Sequence, residues 1–128
     1  MTLHRTYLSM SALLFACLTS VLCLTTHAAG QEWIVGKDAF AKRCSGCHAI
    51  DSNKEGPRLR GVLGRRAGSV QGFQYSDPLR KSGITCDEAS LNQWLENSQA
   101  LVKDNDMEFR VTNAAERAAI LAYLKSLK

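Results

Sequence analysis

Residues able to bind metals or carry catalysis are scarce in this chain, whose 128 residues include three histidines, three methionines and five cysteines. There is no second Cys-x-x-Cys pair and no pair of histidines, so no complete set of zinc ligands is spelled out. Excess charge is scarce too: the formal net charge is +4, and Arg5 near the N-terminus supplies one of the four. That balance is too weak to argue for nucleic acid as a partner. Internal repeats and low-complexity linkers are absent, which leaves a single domain.

What is present begins with a leader. Met1-Thr2-Leu3-His4-Arg5 carries positive charge, an apolar run extends from Tyr7 to Leu24, and the small residues Ala28, Ala29 and Gly30 follow. This order predicts a secretory signal peptide over residues 1–28, cut after Ala28 or within 28–30, and a mature domain over 29–128. Ser9, Ser11, Thr19 and Ser20 interrupt the run, which argues against a retained anchor, and Phe15 is too large for a lipoprotein signal at Ala16-Cys17. The mature chain is thus expected in the periplasm, with no stable membrane anchor after cleavage. Cleavage would leave only His48, Met107, Cys44, Cys47 and Cys86 among the residues counted above.

Cys44-Ser45-Gly46-Cys47-His48 is the attachment pattern of a c-type haem: each thiol can add to a vinyl group, and the histidine turns a ring nitrogen to the iron. The same spacing is compatible with a thioredoxin-like dithiol or part of a zinc site. No βαβ pattern surrounds it, and Cys86 is the one remaining thiol for zinc. The preceding residues Gly36 to Arg43 predict a short polar helix with Phe40 as its large apolar residue. If His48 binds iron, Met107 is the only thioether left for the other face, so His48 and Met107 are the expected metal ligands.

Helical signals lie at both ends. Thr85-Cys86-Asp87-Glu88 fits a capping box before a helix bearing Leu91, Trp94 and Leu95. Asn113 with Glu116 starts a last helix whose Ile120, Tyr123, Leu124 and Leu127 form a buried stripe, with Arg117, Lys125 and Lys128 expected in water. Between Ile50 and Ile84 no helix or strand period stands out, and glycines punctuate the segment. Such a loop suits a chain wrapped around a flat cofactor that supplies the missing core.

The chain resembles the class I cytochromes c, soluble electron carriers of bacteria and mitochondria. The resemblance runs from Gly36 to Leu127 through Gly36, Phe40, Gly56-Pro57-Arg58-Leu59-Arg60-Gly61, Gly64-Arg65, Gly72-Phe73-Gln74-Tyr75-Ser76, Ser82-Gly83-Ile84-Thr85, Met107-Glu108-Phe109 and Ala122-Tyr123-Leu124. It implies an all-α fold wrapped around one haem c, with thioethers at Cys44 and Cys47 and axial ligands His48 and Met107. It further implies a Pro57 carbonyl accepting from His48, and Arg65 and Tyr75 bonded to a buried propionate. Gly36 and Phe40 would pack on Tyr123 and Leu124.

Three departures stand out. Cys86 replaces a tryptophan that usually reaches a propionate, so that donor is lost. The segment Asn97 to Asp106 lacks the usual prolines and Pro-Gly turn, which predicts a looser Met107 arm. Trp94 stands where a tyrosine is usual near the methionine. The function implied is one-electron transfer, not enzyme catalysis, by a monomer serving an oxidase, reductase or dehydrogenase in the membrane or periplasm. The alternative is a haem-based gas sensor or peroxidase-like protein with a labile methionine. Asp104, Asp106 and Glu108 near Met107, and Lys54, Arg58, Arg60, Arg65, Arg66, Arg80 and Lys81 in the middle loop, are expected on different faces.

Overall fold

The computed structural model describes residues 33–128. The leader and its cleavage site lie outside the described residues. Five helices make up the regular structure: α1 over 33–43, α2 Asp77–Lys81, α3 Glu88–Glu96, α4 Ser98–Leu101 and α5 Ala114–Ser126. Among the described residues there is no β-sheet, only an isolated bridge between Arg66 and Thr85. No helix among them is long and apolar enough to cross a membrane.

In α1 the buried positions are Gly36, Ala39 and Phe40, continued by Cys44 past its end, a stripe at three- and four-residue spacing. That stripe meets α5. A Cβ at position 36 would strike the Ala119 carbonyl and come 2.8 Å from the Tyr123 Cβ, so only glycine permits this crossing. Phe40 and Tyr123 pack with ring centroids 5.4 Å apart, and Arg43 forks onto Glu116 at 2.9 and 3.0 Å. Helix α5 also packs on α3, and α3 on α4.

Asn113 caps α5 by accepting from the Glu116 amide, as the sequence indicates. The cap of α3 falls two residues later than expected: Asp87 accepts from the Ser90 amide while the Ser90 hydroxyl accepts from the Asp87 amide. Thr85 is otherwise engaged, in the bridge to Arg66. Helix α2 was not legible in the sequence. It is five residues long, starts at Asp77-Pro78 and buries nothing, so it leaves no apolar period.

Arg117 corrects another expectation, since it is 6% exposed. Its guanidinium donates to Asn92 Oδ1 (3.0 Å), the Val111 and Thr112 carbonyls (2.8 and 3.0 Å) and Glu96 Oε1 (3.4 Å). A charge so fully bonded tolerates burial. The segment 67–84 closes on itself, its neck held by Ala67 N–H to the Ile84 carbonyl and Cys86 N–H to the Arg65 carbonyl.

Candidate functional site

Helix α1 runs into a turn that continues its pattern, with the Cys47 and His48 amides both donating to the Cys44 carbonyl at 3.2 and 2.9 Å. Lys54 Nζ donates to the carbonyls of Ser45 (2.7 Å) and Gly46 (3.0 Å), a cation satisfying a helix C-terminus. The Gly56 amide then donates to the Cys47 carbonyl at 2.8 Å. This draws residue 56 flat against the His48 ring, where any Cβ would collide with three ring atoms. His48 Nδ1 lies 2.8 Å from the Pro57 carbonyl oxygen. A carbonyl only accepts, so Nδ1 carries a proton toward Pro57, and in the neutral ring the lone pair is then on Nε2.

Cys44 is buried and Cys47 exposed. Burial pushes the Cys44 thiol up to about 11, and a hydrogen bond with Glu55 raises Cys47. Neither thiol has the lowered pKa of a redox dithiol. Among the described residues no three of His, Cys, Asp and Glu gather as a zinc site would require.

Met107 follows α4 on an arm that side chains hold in place. The Ser98 hydroxyl donates to the Met107 carbonyl, and Asn105 Oδ1 accepts from the Met107 amide at 2.8 Å. Asn105 Nδ2 donates to the Val102 carbonyl at 2.6 Å, and Gln99 Nε2 to the Asn105 carbonyl at 2.7 Å. In the segment that lacks a Pro-Gly turn, Asp104 takes a left-handed φ of 58°, and its amide donates to Gln99 Oε1 at 3.0 Å. In place of the absent prolines, side-chain hydrogen bonds tie this arm together. Trp94 Nε1 donates to Met107 Sδ at 3.2 Å.

These elements enclose a cavity of about 660 Å³. Cys44, Cys47, His48, Pro57, Arg65, Tyr75, Trp94 and Met107 all line it, so every site residue expected from the sequence comes together. Leu59, Val62, Phe73, Leu79, Ile84, Leu91, Leu95, Phe109, Ile120 and Leu124 supply an apolar wall. The Arg65 guanidinium donates to the carbonyls of Arg58 (3.0 Å) and Arg60 (3.2 Å). The Tyr75 oxygen accepts from the Val70 amide at 3.3 Å, leaving its own hydroxyl hydrogen to donate. Burial raises the Tyr75 pKa and lowers that of Arg65. Arg65, Arg66, Asp106 and Glu108 line the same cavity, so part of each charged set borders one space.

The family model for cytochrome c matches residues 35–128. This chain belongs to the cytochrome c family. Among similar proteins, cytochrome c2 iso-2 of Magnetospirillum fulvum is 45% identical over 87 residues, spanning 66% of this chain and 91% of that protein. Cytochrome c2 of Rhodomicrobium vannielii is 38% identical over 104 residues, covering 78% and 82%. The solved structure of cytochrome cH from Methylobacterium extorquens superimposes with a TM-score of 0.69 at 39% identity, covering 73% of this chain and 96% of that one. The protein is a class I cytochrome c with one covalently attached c-type haem, and it functions as an electron carrier.

The cavity of this cytochrome suits that group. Its wall is largely apolar, with two thiols, an imidazole and a thioether reaching it. In the same lining the Ser76 hydroxyl is buried with no hydrogen-bond partner in the protein. A buried hydroxyl left unpaired is costly, and a carboxylate-bearing ligand beside it would relieve that cost. The sequence reading did not select Ser76, because a serine in a glycine-rich loop gives no sign of which way it points. Ser98, Gln99 and Asn105 were equally hidden, because the sequence does not show which way a polar side chain points.

Proposed function

We propose that the protein is a periplasmic one-electron carrier, not an enzyme, whose haem is bonded through Cys44 and Cys47 and ligated by His48 and Met107. The observation that carries this reading is the convergence of those four side chains on one apolar cavity. When bound, the haem iron supplies an Fe(III)/Fe(II) couple whose potential a His/Met pair raises.

The chain's own residues prepare that site. Pro57 keeps the proton on His48 Nδ1, so Nε2 can serve as a ligand, and Gly56, lacking a Cβ, leaves room for the ring. Arg65, Tyr75 and Ser76 would hold the propionates. Cys47 is exposed and Cys44 buried, so a haem bonded to both would be reachable by a partner from the Cys47 side. The leader over 1–28 is removed on export, leaving residues 29–128 as a monomer without an anchor. Its partners are an oxidase, reductase or dehydrogenase of the membrane or periplasm. The many bonds holding Met107 favour a carrier over a sensor, which needs a ligand that leaves.

The test is a pair of visible spectra, oxidised and reduced, of the wild type and of Met107→Ala. A far-red band of the oxidised protein that vanishes in the variant supports His48/Met107 ligation. A haem spectrum without the band, together with ready binding of carbon monoxide, overturns it.

A further inference from the structure

The segment Asn97 to Asp106 holds no proline and no glycine, yet it carries a ligand candidate whose position must be reproducible. Two side chains on this segment are almost wholly buried although polar: Ser98 at 1% and Asn105 at 5% exposure. Burying a hydroxyl and an amide is unfavourable unless each is bonded, and both are spent on the arm itself. Ser98 takes the Met107 carbonyl and Asn105 the Met107 amide, so both backbone polar groups of the residue are fixed from opposite ends of the arm. Asn105 is in turn fixed by its bond to the Val102 carbonyl, and Gln99 bridges the Asp104 amide and the Asn105 carbonyl. With its backbone fixed this way, Met107 retains only side-chain torsions, and Trp94 bonds the sulfur.

We propose that Ser98 and Asn105 are positioning residues for the methionine ligand: they clamp the Met107 backbone and so set how readily an external ligand displaces its sulfur. Gln99 supports the clamp by stabilising the left-handed Asp104. This rests on Met107 being the axial ligand.

Purified holoprotein is titrated with imidazole, which competes for the iron, while the far-red band is followed in the wild type, Ser98→Ala, Asn105→Ala and Ser98→Thr. Asn113→Ala, which removes the α5 cap at a similar loss of stability, is the control. Losing one clamp bond is expected to tighten imidazole binding about tenfold in each alanine variant, the equivalent of one well-formed hydrogen bond. Ser98→Thr, which keeps the hydroxyl, and Asn113→Ala are expected to stay near wild type. Amide hydrogen exchange of Met107 is expected to accelerate in Asn105→Ala, a readout independent of the iron. If Asn105→Ala does not fold, Ser98→Ala alone decides. Unchanged imidazole affinity in the alanine variants, or an equal increase in Asn113→Ala, overturns the clamp while leaving Met107 ligation intact. Absence of any Met107-dependent band in the wild type overturns both.

Discussion

Replacing Gly56 by alanine tests the His48 side of the site with a single methyl group. The new Cβ would overlap the imidazole at Cε1, Nδ1 and Nε2. Neither partner can retreat freely, because the Gly56 amide is bonded to the Cys47 carbonyl at 2.8 Å and its carbonyl accepts from the Lys54 amide at 2.9 Å. The ring is held by Pro57 at 2.8 Å. Overpacking of this kind costs about 1–3 kcal/mol, and breaking the histidine bond to escape it costs about 1 kcal/mol. A net loss of about 2 kcal/mol lowers Tm by roughly 8–16 °C in a domain of this size. Gly46→Ala is the matched control: the same change within the turn between Cys44 and Cys47, with nothing in the protein within 4 Å of the new atom. It is expected to stay within about 0.5 kcal/mol of wild type. Thermal melts of the three holoproteins by circular dichroism decide the matter. A Gly56→Ala Tm no lower than that of Gly46→Ala would refute the reasoning.

Arg117→Leu strips the donors from two backbone carbonyls and Asn92, and is expected to cost about 2–4 kcal/mol in urea unfolding, with the m-value unchanged. The Glu116 carboxyl is held below its ordinary pKa by the hydrogen bond from Arg43. Its contribution is complete above the unfolded carboxylate value, about pH 4.3, and is lost as pH falls through the lower folded value. Glu116→Gln is therefore expected to flatten the stability curve on that acid side, and an unchanged acid limb in urea titrations would discount the pair. Reversing Asp104 and Asp106 to lysine is expected to change the salt dependence of electron transfer to the physiological partner, and stopped-flow rates at several ionic strengths check it. Cys86→Trp restores an indole N–H at the cavity wall and is expected to raise Tm; a lower Tm would mean that the wall has no room for it.

The parts of the molecule visible in its sequence are those encoded over a few neighbouring residues. Cys44 to His48, the Asn113 cap and the stripe from Ile120 to Leu124 each fit within two or three turns of chain. Arg117 escaped because its burial depends on four acceptors from α3 and the segment after Met107, which only the folded chain gathers. A charged residue on a helix otherwise reads as solvated. The bonding of the methionine arm was hidden for a related reason. Missing prolines are visible in sequence, whereas the hydrogen bonds that Ser98 and Asn105 make are set by side-chain direction. Helix α2 carries no buried residue, so nothing periodic announced it.

The crossing of α1 on α5 has a consequence for the order of events during folding. Gly36 and Tyr123 meet across about ninety residues of chain, and closing so long a loop carries an entropic penalty before any contact repays it. Trp33 also stacks edge-on against Tyr123 with ring centroids 5.9 Å apart, so the start of α1 and the end of α5 are neighbours. A circular permutant that joins position 128 to position 33 through a short linker, and opens the chain in the exposed loop near Gln71-Gly72, would turn this most distant contact into a local one. Its folding rate would then report how much of the barrier is the search of one chain end for the other.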